Sequence, residues 1–236
     1  MDYQDFSRSK ALNNIPHNKL SDQLSIIENS IEDINTKNLK ITAINRYYES
    51  NIPTEYWLLK MEKDFVGDQR LLQKYNSYVA DVKDSYITGK SICFASPHGR
   101  GKTMTACCIL KKACQKGYSC LYSDLLNIVS VLTQAPTQEK FNARRELYMV
   151  DFLCIDELDP RFFNSSDLTN ELYIKNLESI IRTRLQNNLP TLICSNSPNI
   201  IESFNGTLKV SMDSLFNKIE TFVVLGDDFR KQVNAQ

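Results

Sequence analysis

The run Ser96-Pro97-His98-Gly99-Arg100-Gly101-Lys102-Thr103 constrains the fold more than any other part of this 236-residue chain. Before it, Ser91-Ile92-Cys93-Phe94-Ala95 is short and apolar, which predicts a buried strand. After it, Met104 to Lys116 holds strong helix formers and no proline, which predicts a helix. Strand, glycine-containing turn and helix in that order aim backbone N–H groups and a helix N-terminus at one spot, where phosphate binds. In such a loop Lys102 would reach the β- and γ-phosphates, and the Thr103 hydroxyl would ligate Mg²⁺. Ser96, Pro97, His98, Gly99, Arg100, Gly101, Lys102, Thr103 and Met104 are therefore the candidate nucleotide-binding residues. One position departs from the usual pattern: Ser96 stands where glycine normally begins the loop, and glycine is favoured there for its backbone freedom.

Two further strands carry polar ends. Val150-Asp151-Phe152-Leu153-Cys154-Ile155-Asp156-Glu157 is an apolar run that ends in adjacent carboxylates, about fifty residues after the phosphate loop. At that spacing Asp156 is the candidate for the Mg²⁺ shell, and Glu157 for orienting and polarising an attacking water. Thr191-Leu192-Ile193-Cys194-Ser195-Asn196 ends in a residue able to hydrogen-bond a γ-phosphate or that water. Strands near 91–95, 119–122, 150–155, 191–195 and 221–225 alternate with helices near 102–116, 124–132 and 167–187. Such alternation implies an α/β fold, a three-layer arrangement with a parallel sheet between helices, binding nucleotide at the strands' carboxyl ends.

In the order and spacing of these pieces the chain resembles the AAA+ ATPases, specifically the DnaC/DnaI-type replicative helicase loaders and the related IstB transposition ATPases. The resemblance covers about 51–230. It runs from Asn51-Ile52-Pro53-Thr54-Glu55-Tyr56 through the phosphate loop, Tyr122-Ser123-Asp124-Leu125-Leu126 and Ile155-Asp156-Glu157-Leu158. It continues with Asn188-Leu189-Pro190-Thr191 and closes with Val223-Val224-Leu225-Gly226-Asp227-Asp228-Phe229-Arg230. It implies ATP and Mg²⁺ as ligands, Lys102, Glu157 and Asn196 as catalytic groups, Thr103 and Asp156 as metal groups, and Arg230 as a second sensor. It also implies self-association through ATPase interfaces. The family's arginine finger falls in Phe216-Asn217-Lys218-Ile219, where this chain has Lys218. A lysine is a compact point charge rather than a planar fork. Either Lys218 acts as a weaker finger, or hydrolysis is slow and ATP serves mainly as an assembly switch, or Lys218 is an ordinary surface lysine.

Residues 1–50 form a helical region distinct from the 51–236 ATPase domain. Leu20, Leu24, Ile27, Ile31 and Ile34 fall at spacings of four and three, which predicts one apolar seam along a helix of about four turns. A second helix over Leu39 to Tyr48 would complete a hairpin. The seam serves either to dock a partner helix or to pack within its own small domain, and the resemblance favours the partner, a hexameric replicative helicase. Phe65 to Lys83 reads as helical, with Leu71, Leu72, Tyr75, Tyr78, Val79 and Val82 on one face. Ser130 to Glu146 reads as a less regular insert. Within it Lys140, Phe141, Arg144 and Arg145 combine basic groups with an aromatic, a surface suited to single-stranded DNA. Arg161-Phe162-Phe163 is either a subunit contact or core.

Twenty-eight basic residues balance 28 acidic ones, so any nucleic-acid contact must come from a local patch. All seven cysteines lie in the ATPase region without a Cys-x-x-Cys pair, which reads as small core residues in a reducing cytoplasm, not as zinc ligands. No secretory leader or membrane span is expected. These readings converge on an ATP-dependent loader of a replicative helicase in a bacterial or phage-infected cell. The alternatives are a transposition regulator of the IstB kind and a nucleotide-binding adaptor with negligible hydrolysis.

Overall fold

The computed structural model describes residues 9–159, 168–203, 206–226 and 228, without the side chains of 168–173, 201, 203 and 206–208. Its centre is a five-stranded parallel sheet in the order β2-β3-β4-β1-β5, with β1 Ile92–Ala95, β2 Cys120–Asp124, β3 Phe152–Leu158, β4 Thr191–Ser195 and β5 Glu220–Val223. Because side chains alternate along a strand, each one feeds two cores. Cys93, Ala95, Leu153, Ile155 and Ile193 face one side, while Ile92, Phe94, Phe152, Cys154, Leu192 and Cys194 face the other. Burial on both faces is why these strands read as continuous apolar runs.

On the first face lie α7 (Leu125–Gln134), α8 (Thr137–Met149), α9 (Leu168–Gln186) and α10 (Gly206–Phe216). On the second lie α1 (His17–Glu28), α2 (Ile34–Glu49), α4 (Gln69–Val79), α5 (Val82–Ile87) and the phosphate-loop helix α6 (Lys102–Gln115), with the short α3 (Met61–Asp64) beside them. The N-terminal hairpin therefore shares a core with the sheet: Leu20, Ile27, Ile44 and Tyr47 are buried in the same cluster as Phe94 and Ile109. Asn51 locks the junction. Its backbone is left-handed (φ 53°), its side-chain amide donates to Leu12 O and Tyr122 O, both at 2.9 Å, and its Oδ1 accepts from Asn14 N. All seven cysteines are buried thiols, and no helix among the described residues is long and apolar enough to cross a membrane.

Three sequence expectations change. The seam from Leu20 to Ile34 is not one helix. Asn29 and Ser30 close α1 on the carbonyls of Ser25 and Ile27, and the Asp33 carboxylate caps α2 by accepting from Thr36 N at 3.0 Å. Ile31 and Ile34 are thus left in solvent. The helix expected over Phe65–Lys83 is two helices, because Asp68 and Asp81 each cap a new start, accepting from Arg70 N and Asp84 N. The insert expected at Ser130–Glu146 is regular: α7 ends at Gln134, and Pro136 sits immediately before α8, where its missing N–H costs nothing.

Candidate functional site

The strand order places the topological switch between β1 and β4: after β1 the chain crosses toward β2, and after β4 it crosses toward β5. Ligands of open parallel sheets bind outside the carboxyl ends at that point. A cleft of about 770 Å³ opens there, and its walls include residues 98–104, Asp156, Glu157 and Asn196.

The phosphate turn is held by local geometry. Gly99 and Gly101 have φ of 75° and 80°, a region that disfavours residues with a Cβ. A Cβ on Gly101 would lie 2.6 Å from the Phe65 ring, and one on Gly99 would overlap the Asp228 carboxylate at 1.9 Å. Ser96 is not among the residues with positive φ, so its side chain costs no backbone strain. Its N–H extends the β1–β4 ladder by donating to Ser195 O at 3.1 Å, and the residue is fully buried. Lys102 folds onto the start of the turn, with Nζ donating to Ser96 O at 2.8 Å and Pro97 O at 2.9 Å. It also donates to Ser96 Oγ at 3.3 Å. Thr103 and Met104 line the cleft on the first turn of α6.

The paired acids are presented in different ways. Asp156 is buried, with Oδ1 accepting from Glu157 N and Oδ2 from the Tyr122 hydroxyl, both at 2.7 Å. Glu157 is turned outward. Three steps along β3, from Ile155 to Leu158, match two along β4, from Ile193 to Ser195, so β3 carries one extra residue here. Such a bulge re-aims a side chain, and Glu157 takes a left-handed φ of 56°, rare for a residue with a Cβ. Its carboxyl is pushed above the ordinary glutamate range, first by desolvation and then by the charges of Asp156 and Asp124, with His98 pulling the other way. Asn196 follows β4 and donates its backbone N–H to Leu158 O at 3.1 Å, beside that bulge.

Lys102, Thr103, Asp156, Glu157 and Asn196 are therefore brought to one cleft. Lys218 is not: it is exposed beyond α10, outside the cleft's lining. Arg230 and Arg161-Phe162-Phe163 lie outside the described residues. Sequence reasoning gave no role to Tyr56, Leu59, Phe65, Val66 or Tyr122, which line the walls together with Glu55 and Asp64. Tyr122 had a usable signal. It lies two residues before the end of β2, and parallel register sets it opposite Cys154, two residues before Asp156.

The donor set fits a magnesium nucleotide. Lys102 folds onto the turn, while the Thr103 hydroxyl, the buried Asp156 carboxylate and the Glu157 carboxyl, with its raised affinity for protons, line the same cleft, as the holders of a metal and its nucleotide would. Two other surface features lie away from the cleft. An apolar groove of about 610 Å³ runs between α1, α2 and residues 57–60, with Ile26, Leu39 and Leu58 about two-thirds exposed at 64%, 73% and 64%. On α8, Phe141, Arg144 and Arg145 are exposed, and Lys140 donates to Thr133 O.

A phosphate loop at the switch point of a β2-β3-β4-β1-β5 sheet, with an Asp-Glu pair on β3 and a polar end on β4, defines an AAA+ nucleotide-binding protein. The profile of the IstB-like ATP binding proteins matches residues 61–194, and the chain belongs to that family. No curated protein sequence matches it. The fold is similar to that of DnaI, at 17% identity and a TM-score of 0.57, over 75% of this chain and 93% of that one. It is similar to the DnaC helicase loader at 17% identity and 0.57, over 73% of this chain and 100% of that one. Against AMPPCP-bound DnaA from Aquifex aeolicus the identity is 16% and the TM-score 0.58; 78% of this chain aligns, but it spans only 56% of that initiator.

Proposed function

We propose that the protein is an ATP-dependent loader of a replicative DNA helicase, gripping the helicase through its N-terminal helices and using Mg·ATP as an assembly switch. The observation that carries the ATPase reading is the bulge in β3, which turns Glu157 into the same cleft as Lys102 and Thr103 while Asp156 stays buried at its floor. The turn amides and Lys102 would hold the β- and γ-phosphates, and Tyr56, Leu59, Phe65 and Val66 would offer an apolar end for the base. Thr103 and Asp156 would hold Mg²⁺, which supplies charge neutralisation on the phosphates when bound. Glu157 would take the proton of the attacking water as the γ-phosphoryl group passes from the bridging oxygen of the departing ADP to that water's oxygen, and Asn196 would orient the same water. Lys218, which lies outside its own cleft, would serve a neighbouring copy, and Arg230 would serve its own.

The loader reading draws on the exposed apolar groove of the hairpin, a shape that takes a helix from a partner. It also draws on the fold's likeness to DnaI and the DnaC helicase loader over nearly their whole lengths. The family profile favours a second reading, a transposition regulator of the IstB kind, and a pulldown against replicative helicase and against transposase separates the two. The ATPase itself is tested by Glu157→Gln. Calorimetry should show Mg·ATP uptake retained, while phosphate release falls at least about a hundredfold, the usual contribution of a positioned base. Unaltered release would remove Glu157 from the chemistry, and wild-type protein that takes up no Mg·ATP would end the nucleotide reading.

A further inference from the structure

We propose that Tyr122 is a positioning residue for the metal-binding carboxylate, its hydroxyl holding Asp156 in the orientation that accepts Mg²⁺; this rests on the ATPase reading above. Asp156 has 5% of its surface exposed, so its two oxygens depend on protein donors. Among the described residues each has one: Glu157 N on Oδ1 and Tyr122 OH on Oδ2, both at 2.7 Å. A carboxylate oxygen has two lone pairs, so each retains one for a metal or its water. With both oxygens anchored the carboxylate plane is fixed before any ion arrives, the preorganisation that ligands beyond the first layer of a metal site supply.

The backbone of Tyr122 is itself anchored. Tyr122 N donates to Ser50 O at 2.8 Å, and Tyr122 O accepts from Asn51 Nδ2 at 2.9 Å. The ring thus stands between the junction of the N-terminal hairpin and the metal side of the cleft, whose wall it forms. Nothing in a phosphate loop requires an aromatic hydroxyl at this place, and Asp156 could be held by Glu157 N alone.

Tyr122→Phe tests it, because the ring and the β2 pairing remain and only the hydroxyl goes. ATP affinity is measured by calorimetry with Mg²⁺ and again with EDTA, and the ratio of the two is the magnesium increment. Wild type should show an increment that falls about tenfold in Tyr122→Phe, the worth of one hydrogen bond to a charged group. Affinity in EDTA should stay within about twofold. In an Asp156→Asn background, adding Tyr122→Phe should change the increment no further. An increment equal to wild type, a larger one, a matching loss in EDTA, or an additive loss in the Asp156→Asn background would each overturn the assignment. Wild-type protein that takes up no ATP under either condition would overturn the ATPase reading along with it.

Discussion

Glu157 carries a backbone conformation that a strand residue would avoid, and the surroundings show what holds it there. Its N–H donates to Asp156 Oδ1, and Asn196 N closes on Leu158 O just past the bulge. The left-handed φ of 56° costs about 1–2 kcal/mol, and such strain recurs where a side chain must be aimed. The environment also decides its chemistry. Desolvation and the neighbouring Asp156 and Asp124 hold the carboxyl's proton more tightly than free glutamate does. A base works only when deprotonated, so activity should rise with pH through this elevated value, and the acid limb of kcat/KM should lie above 4.5, the ordinary value for the group. Asp124→Asn removes one charge that raises it while leaving an oxygen to cap α7 at Asn127 N. The acid limb should therefore move down in pH; a limb that stays put or rises would mean another group sets the profile.

At the scale of elements, the sheet is tied to its helices by a buried arginine. Arg184 on α9 is fully buried. Its Nη1 donates to Leu147 O and Val150 O at 3.1 and 2.9 Å, its Nη2 to Asp151 O and Pro190 O at 3.3 and 2.8 Å, and its Nε to Thr191 Oγ1 at 2.9 Å. One planar fork thus joins the end of α8, the start of β3 and the start of β4. Arg184→Ala should cost about 3–5 kcal/mol in urea unfolding, because it strands several buried carbonyls at once. Arg184→Lys should recover only part of that, since a point charge cannot span the same acceptors. A loss below 1 kcal/mol, roughly that of an ordinary surface change, would show that water takes over the fork's role. None of this was legible in the run Arg182-Thr183-Arg184, where two arginines look alike until their partners arrive from distant segments. The phosphate turn was legible because its requirements are local: glycines at two positive-φ positions, then Lys102 on the first turn of a helix. The identity of the Asp156–Glu157 pair was legible too. Its division into a buried and an outward acid was not, because the extra residue in β3 shows only against β4. The apolar spacing through Ile31 and Ile34 was misleading for a local reason: the caps at Ser30 and Asp33 outweigh a periodicity that reads past them.

Across the whole molecule, the hairpin that would grip a partner and the cleft that would take nucleotide meet at Asn51 and Tyr122, while α8 presents its basic surface from the opposite face of the sheet. The two proposed macromolecular contacts therefore lie on separate cores and should fail separately. Ile26 and Leu39 are mostly solvent-exposed in the free protein, so charging them disturbs little packing, and surface changes of this kind usually stay within about 0.5 kcal/mol of stability. The Ile26→Asp, Leu39→Asp double variant should lose association with a hexameric replicative helicase, read by pulldown, while single-stranded DNA binding and Mg·ATP affinity persist. Replacing Lys140, Arg144 and Arg145 by alanine should do the reverse, removing single-strand binding and its salt dependence while the helicase still associates. Phe141 is exposed on that helix, as a base-stacking ring must be. If both variants weaken both contacts, helicase and DNA bind one continuous surface. If neither changes anything, the apolar groove and the basic helix are solvated faces, and the loader reading would have to stand on the nucleotide cleft alone.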